Sequence, residues 1–157
     1  MVTLMSLMIA KKMELDIEMK YDIAVGCLLH DIGIRYITIP YENINMEEQD
    51  PAHVFEYKKH TILGYSALEE ETWIPEISRK MILSHHERID GSGFPLRQKN
   101  RETACRIIQV CDAFDGMISG MECVRTNVPT ACEKMKERAG ICFDEEIVQM
   151  LFSMIGE

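Results

Sequence analysis

The chain has 157 residues, 46% of them hydrophobic and 27% charged, which suits one soluble globular domain with a real core and neither a disordered nor a membrane-spanning chain. Its net charge of −9 excludes a groove for long nucleic acid, which needs a basic stripe, but leaves room for a small phosphate ligand held by a few arginines. Six cysteines (27, 105, 111, 123, 132 and 142) include no C-x-x-C pair, so they read as reduced, mostly buried thiols of a cytoplasmic protein.

The opening MVTLMSLMIA is apolar but too short for a membrane span. A signal peptide would carry its positive charge ahead of the apolar run, whereas Lys11 and Lys12 follow it. The stretch predicts a buried helix from about residue 2 to 13. With no N-cap and no acidic first turn it reads as starting in mid-element, with residues upstream missing; a frayed natural terminus is the alternative. A second helix follows Asp16 and runs to His30, its end marked by Gly33. Residues 31–50 read as a loop with a short extended piece, Tyr36 to Pro40. Asp50-Pro51 is an N-cap followed by proline at the first helical position, opening a third helix to about Glu70. A fourth starts at Trp73-Ile74-Pro75 and ends at the pair His85-His86. The fifth covers 102–119, the sixth lies between Pro129 and Gly140, and Asp144 caps the seventh. No sustained alternation of apolar and polar residues interrupts this, so the fold class is all-α: one bundle of about seven helices over residues 1–157.

Four of the five histidines fall in motif-like stretches. His30-Asp31, in CLLHDIG, sits at a helix end, where an adjacent imidazole and carboxylate can bind one metal and the second carboxylate oxygen can reach another. Alone, such a pair is more simply a helix-terminal hydrogen bond. His60 lies within a helix, one turn before Gly64. His85 and His86 precede a turn, Asp90-Gly91-Ser92-Gly93, with Pro95 beyond; two glycines give the chain the freedom to turn there. Asp112 lies in the otherwise apolar helix RIIQVCDAFDGM, where a carboxylate costs several kcal/mol unless a cation or donors compensate it. Asp115, one turn on, can orient a ligand or a water. Together these residues are the ligand inventory of a two-metal site in a helical bundle.

The order HDIG, H-x-x-x-G, HHE-x-x-DG-x-GFP and a late V-C-D-x-x-D resembles the HD-GYP phosphodiesterases, a branch of the HD superfamily of metal-dependent phosphohydrolases, from about residue 4 to the C-terminus. The resemblance implies an HD-type bundle holding two divalent metals, iron or manganese before zinc, nickel or magnesium, and hydrolysis of cyclic di-GMP to the linear dinucleotide or GMP. It implies that Asp31 bridges the metals and orients the attacking water, that His60, His85 and His86 hold one metal, and that His30 and Asp112 hold the other. Asp90, Gly91, Gly93, Phe94 and Pro95 are the substrate-side positions of the matching loop, and Arg35, Arg88 and Arg125 are the basic residues near the motifs that can reach a substrate. Arg88 is a candidate for a phosphate or for a salt bridge with Asp90.

Three departures stand against a simple transfer. The family's further upstream histidine falls just before Met1; its HDIGK lysine is Ile34 here, beside Arg35; and the basic residues after its D-x-x-D are Met121 and Val124, with only Arg125 nearby. Phosphate neutralisation is a large part of phosphoryl-transfer catalysis, so these changes bear on activity. Three functions therefore remain: a cyclic dinucleotide phosphodiesterase, a phosphohydrolase acting on another nucleotide or phosphoester, or a degenerate regulatory module. An upstream sensor or receiver domain is an expected partner; the oligomeric state is open.

Overall fold

The computed structural model describes residues 1–156, and every side chain among them but that of Glu47; Glu157, the last residue of the predicted domain, lies outside the described residues. The described residues form eight α-helical segments: α1 (Val2–Lys12), α2 (Ile17–Leu29), α3 (Pro51–Lys58), α4 (His60–Ala67), α5 (Glu76–Ser84), α6 (Thr103–Ser119), α7 (Val128–Arg138) and α8 (Glu145–Ile155). There is no strand ladder among the described residues, only two isolated bridges. The expected all-α bundle is what forms.

Side-chain caps start four of these helices. Asp16 accepts from Met19 N–H at 2.7 Å, Asp50 from Ala52 at 2.8 Å, Asn127 from Thr130 at 2.9 Å and Asp144 from Ile147 at 3.1 Å. Each cap satisfies an amide that the helix cannot, at about 1 kcal/mol apiece. Helix α6 carries the apolar core, burying Ile107, Ile108, Val110, Cys111 and Phe114 against Met5 and Ile9 of α1, Met135 of α7 and Leu151 of α8. No cysteine among the described residues forms a disulfide, and burial raises the Cys27 thiol to about 11. No described helix is long and apolar enough to cross a membrane.

Three expectations change. The third helix is two, broken at Lys59, where the amide steps back to Glu56 O at 3.3 Å. Around the break, side chains compete for carbonyls: Thr61 Oγ1 takes Lys58 O and the His60 ring takes Tyr57 O. The extended piece expected from Tyr36 to Pro40 forms no strand: Tyr36 ends the 3-10 turn Ile32–Tyr36, Ile37 is extended, and the isolated bridge lies further on, at Glu42 with Met121. Gly33 is not a left-handed helix cap, since α2 ends at Leu29. It is a crossing point: a Cβ on Gly33 would stand 1.9 Å from His60 O and 2.6 Å from Gly64 N. The glycines of HDIG and H-x-x-x-G thus let two backbones touch, and this brings Asp31 to His60.

Candidate metal centre and adjoining cavity

Three histidines are placed by one device. His30 caps α2 and its Nδ1 meets Cys27 O at 2.7 Å; His60 opens α4 and meets Tyr57 O at 2.8 Å; His85 caps α5 and meets Ile82 O at 2.9 Å. In each case the carbonyl three residues back, at a helix end or break, takes the Nδ1–H. In the neutral rings the tautomer follows, leaving a lone pair on each Nε2.

Those lone pairs converge. His60 Nε2 and His85 Nε2 are 3.2 Å apart in a fully buried site. Two acceptors cannot satisfy each other. A shared proton is disfavoured, because burial and the neighbouring His85 push His60 down to about 4. Asp31 Oδ1 lies 3.5 Å from His85 Nε2 and 3.8 Å from His60 Nε2, while its Oδ2 lies 3.3 Å from His30 Nε2. Asp112 Oδ1 is also 3.3 Å from His30 Nε2. Burial opposes charge on Asp31, but hydrogen bonds and charge from His30 and His85 outweigh it and hold the carboxyl well below its usual range. For His30 burial lowers the pKa, and Asp112 and Asp31 more than reverse this.

Two donor sets result: His60, His85 and His86, and His30, Asp31 and Asp112, the ligand atoms of each lying within 4.8 Å of one another. Imidazole and carboxylate donors at this spacing fit divalent cations such as Fe, Mn or Zn, and the facing imidazole lone pairs call for a positive charge between them. Asp31 offers one oxygen to each set.

His86 is held by a clamp. Its ring stacks on Phe94, centroids 4.5 Å apart and planes at 19°. Phe94 N–H donates to His86 O at 3.1 Å, and Gly93 presses so closely that a Cβ would lie 2.4 Å from Glu87 Cα. Glu87 is 1% exposed and accepts the amides of Leu96, Arg97 and Gln98 at 2.6, 3.0 and 3.0 Å. Asp90 accepts from the amide and hydroxyl of Ser92, and Gly91 takes a left-handed φ of +85°. Asp90, Gly91 and Pro95 thus belong to the loop that shapes the site and do not line its cavities.

A cavity of about 690 Å³ opens beside the donor sets, its lining including Asp31, His86 and Asp112 together with Phe94, Arg88 and Phe143. Arg88 stacks its guanidinium on Phe143 at 4.8 Å and donates to Glu87 O; no ion pair with Asp90 forms among the described residues. Asp115 lines a smaller cavity with His30, Asp31 and Asp112, and burial raises its carboxyl. Arg35 and Arg125 line neither cavity: the first lies over Tyr36, and the second donates Nε–H to Ile118 O at 2.9 Å. The basic residues at the large cavity besides Arg88 are Lys58, Lys134 and Arg138, none of which the motifs single out.

Glu122 was also silent in the sequence. Its carboxylate lies 3.0 Å from His86 Nε2, and burial followed by Asp112 raises its pKa to about 8. No local pattern marks it, because backbone pairing places it: Glu122 N–H donates to Tyr41 O at 3.1 Å and Met46 N–H to Glu122 O at 2.9 Å.

Residues 1–147 match the model of the family described as HD domain. The chain belongs to the HD domain family. Over 151 residues it is 28% identical to a cyclic di-GMP phosphodiesterase of Pseudomonas aeruginosa, covering 94% of this chain and 36% of that protein. Over 154 residues it is 29% identical to a cyclic di-GMP phosphodiesterase of Thermotoga maritima, covering 95% and 41%. This HD domain therefore spans less than half the length of those curated relatives. A solved HDG"Y"P protein from Bdellovibrio bacteriovorus shares the fold, with a TM-score of 0.86 at 20% identity, over 99% of this chain and 50% of that one.

Proposed function

We propose that this HD domain is a metal-dependent phosphodiesterase acting on a cyclic dinucleotide, cyclic di-GMP first, and yielding the linear dinucleotide or GMP. The observation that carries this reading is the pair of donor sets joined by Asp31 at the wall of a cavity that also holds basic residues. Two divalent cations, iron or manganese, would neutralise a phosphodiester and acidify the attacking water when bound. His60, His85 and His86 would hold one cation, His30 and Asp112 the other, and Asp31 both. The carbonyl-fixed Nδ1–H groups of His30, His60 and His85 keep three rings in the ligating tautomer without rearrangement. Asp115 would orient water from the smaller cavity. Arg88 offers a guanidinium to a phosphate oxygen, and Lys58, whose Nζ lies over the Phe94 ring at 5.0 Å, brings a second cation to the same wall.

One observation favours a second reading, an HD phosphohydrolase on a different nucleotide or phosphoester. The cationic groups at the cavity are not the ones near the motifs: Arg35 and Arg125 line neither cavity, while Lys58, Lys134 and Arg138 border the large one. The test is anaerobic incubation of the chain with cyclic di-GMP and Fe(II) or Mn(II), beside Asp31→Ala. Metal-dependent product that disappears in the variant supports the first reading. No product from a folded chain that binds two metals selects the second.

A further inference from the structure

His86 differs from the other three ligand histidines in what holds its ring. His30, His60 and His85 each give Nδ1–H to a backbone carbonyl, whereas the partner of His86 is a carboxylate, Glu122 Oε1, 3.0 Å from Nε2. The opposite ring nitrogen, Nδ1, faces Asp112 Oδ2 at 3.8 Å, on the side of the second donor set. The nitrogen directed into the centre is therefore Nδ1, and it can offer a lone pair only if the proton sits on Nε2. His86 itself is 4% exposed and stacked on Phe94, so its ring cannot turn over to exchange the two. Glu122 is pinned by its own backbone to Tyr41 and Met46, which keeps its carboxylate at that nitrogen.

We propose that Glu122 is a positioning residue of the metal centre: it accepts the His86 Nε2–H and so fixes the tautomer in which His86 presents Nδ1 to the cation. The three-histidine set then binds through Nε2 of His60, Nε2 of His85 and Nδ1 of His86. Oε1 can accept that N–H whether the carboxyl is ionised or neutral, and loss of such an outer partner lowers metal affinity about 10–100-fold. This rests on the metal-centre reading above, but its test needs no turnover.

Two measurements decide it on the full chain. Mn(II) affinity, by competition with a chelator, is expected to fall about 10–100-fold in Glu122→Leu. In Glu122→Gln, whose amide oxygen can accept the same N–H, it is expected to stay within a few-fold. Equal affinity in Glu122→Leu and the unaltered chain overturns the proposal. So does an equal loss in both variants, which would make Glu122 a direct ligand. The second measurement is long-range 1H–15N NMR of the unaltered chain loaded with Zn(II), which reads the tautomer whether or not a variant folds. A proton on His86 Nε2 is expected; a proton on Nδ1 overturns the proposal. Absence of phosphodiester hydrolysis in a chain passing both would count against the proposed function alone.

Discussion

Glu87 shows how much of the site rests on a residue that touches no ligand. Its buried carboxylate gathers three backbone amides of the loop after Phe94, and that loop stacks Phe94 on His86. Charge-assisted hydrogen bonds contribute roughly 1.5–3 kcal/mol each, and orphaning buried amides costs more. Glu87→Ala is therefore expected to destabilise the domain by about 3 kcal/mol or more, read as a lower midpoint in thermal or urea unfolding. Weakened metal binding should accompany it, because the clamp on His86 loosens. An unchanged midpoint would show that the loop holds its shape by other means. Asp31 stands at the other extreme: its importance lies in having two oxygens that face two donor sets.

Elements meet at points that small residues permit. Gly33 and Gly64 let the 3-10 turn after Asp31 cross α4 backbone to backbone, and a methyl at Gly33 has only carbonyl and amide atoms to displace. Overpacking of this kind costs about 1–3 kcal/mol. Gly33→Ala should thus lower stability and also separate Asp31 from His60, reducing the number of metals bound, as counted by elemental analysis. Helix α7 contributes differently, through Lys134 and Arg138, which are four residues apart and border the large cavity. The double variant Lys134→Ala/Arg138→Ala is expected to raise KM for a cyclic dinucleotide about tenfold, with kcat on a small generic phosphodiester unchanged. Equal effects on both substrates would remove α7 from substrate recognition.

For the whole molecule, the two donor sets would also act as a structural tie. They sit just past the ends of α2 and α5 and on α4 and α6, so a bound cation would link elements distant in sequence. A ligand at 100 times its Kd adds about 2.7 kcal/mol to folding stability, and a domain of this size shifts Tm by about 2–4 °C per kcal/mol. Chelation should lower the thermal midpoint by about 5–10 °C, and Mn(II) should restore it. A midpoint indifferent to chelator would show that no cation is held tightly.

Much of this was legible along the chain because the signals are local. Helix starts lie in single residues, Asp16, Asp50 and Asp144, each of which meets an amide two or three positions ahead. The donor residues were legible too, since His30-Asp31, His60, His85-His86 and Asp112 stand in compact motifs. Which other groups share their cavity was not. Arg35 and Arg125 lie close in sequence to the motifs and line neither cavity, while Lys58, Lys134, Arg138 and Glu122 arrive from outside the motifs. Sequence sets the chemistry of each ligand through bonded neighbours and helix ends; only chain crossing, at Gly33 on Gly64 and at Glu42 beside Met121, decides which charges face it.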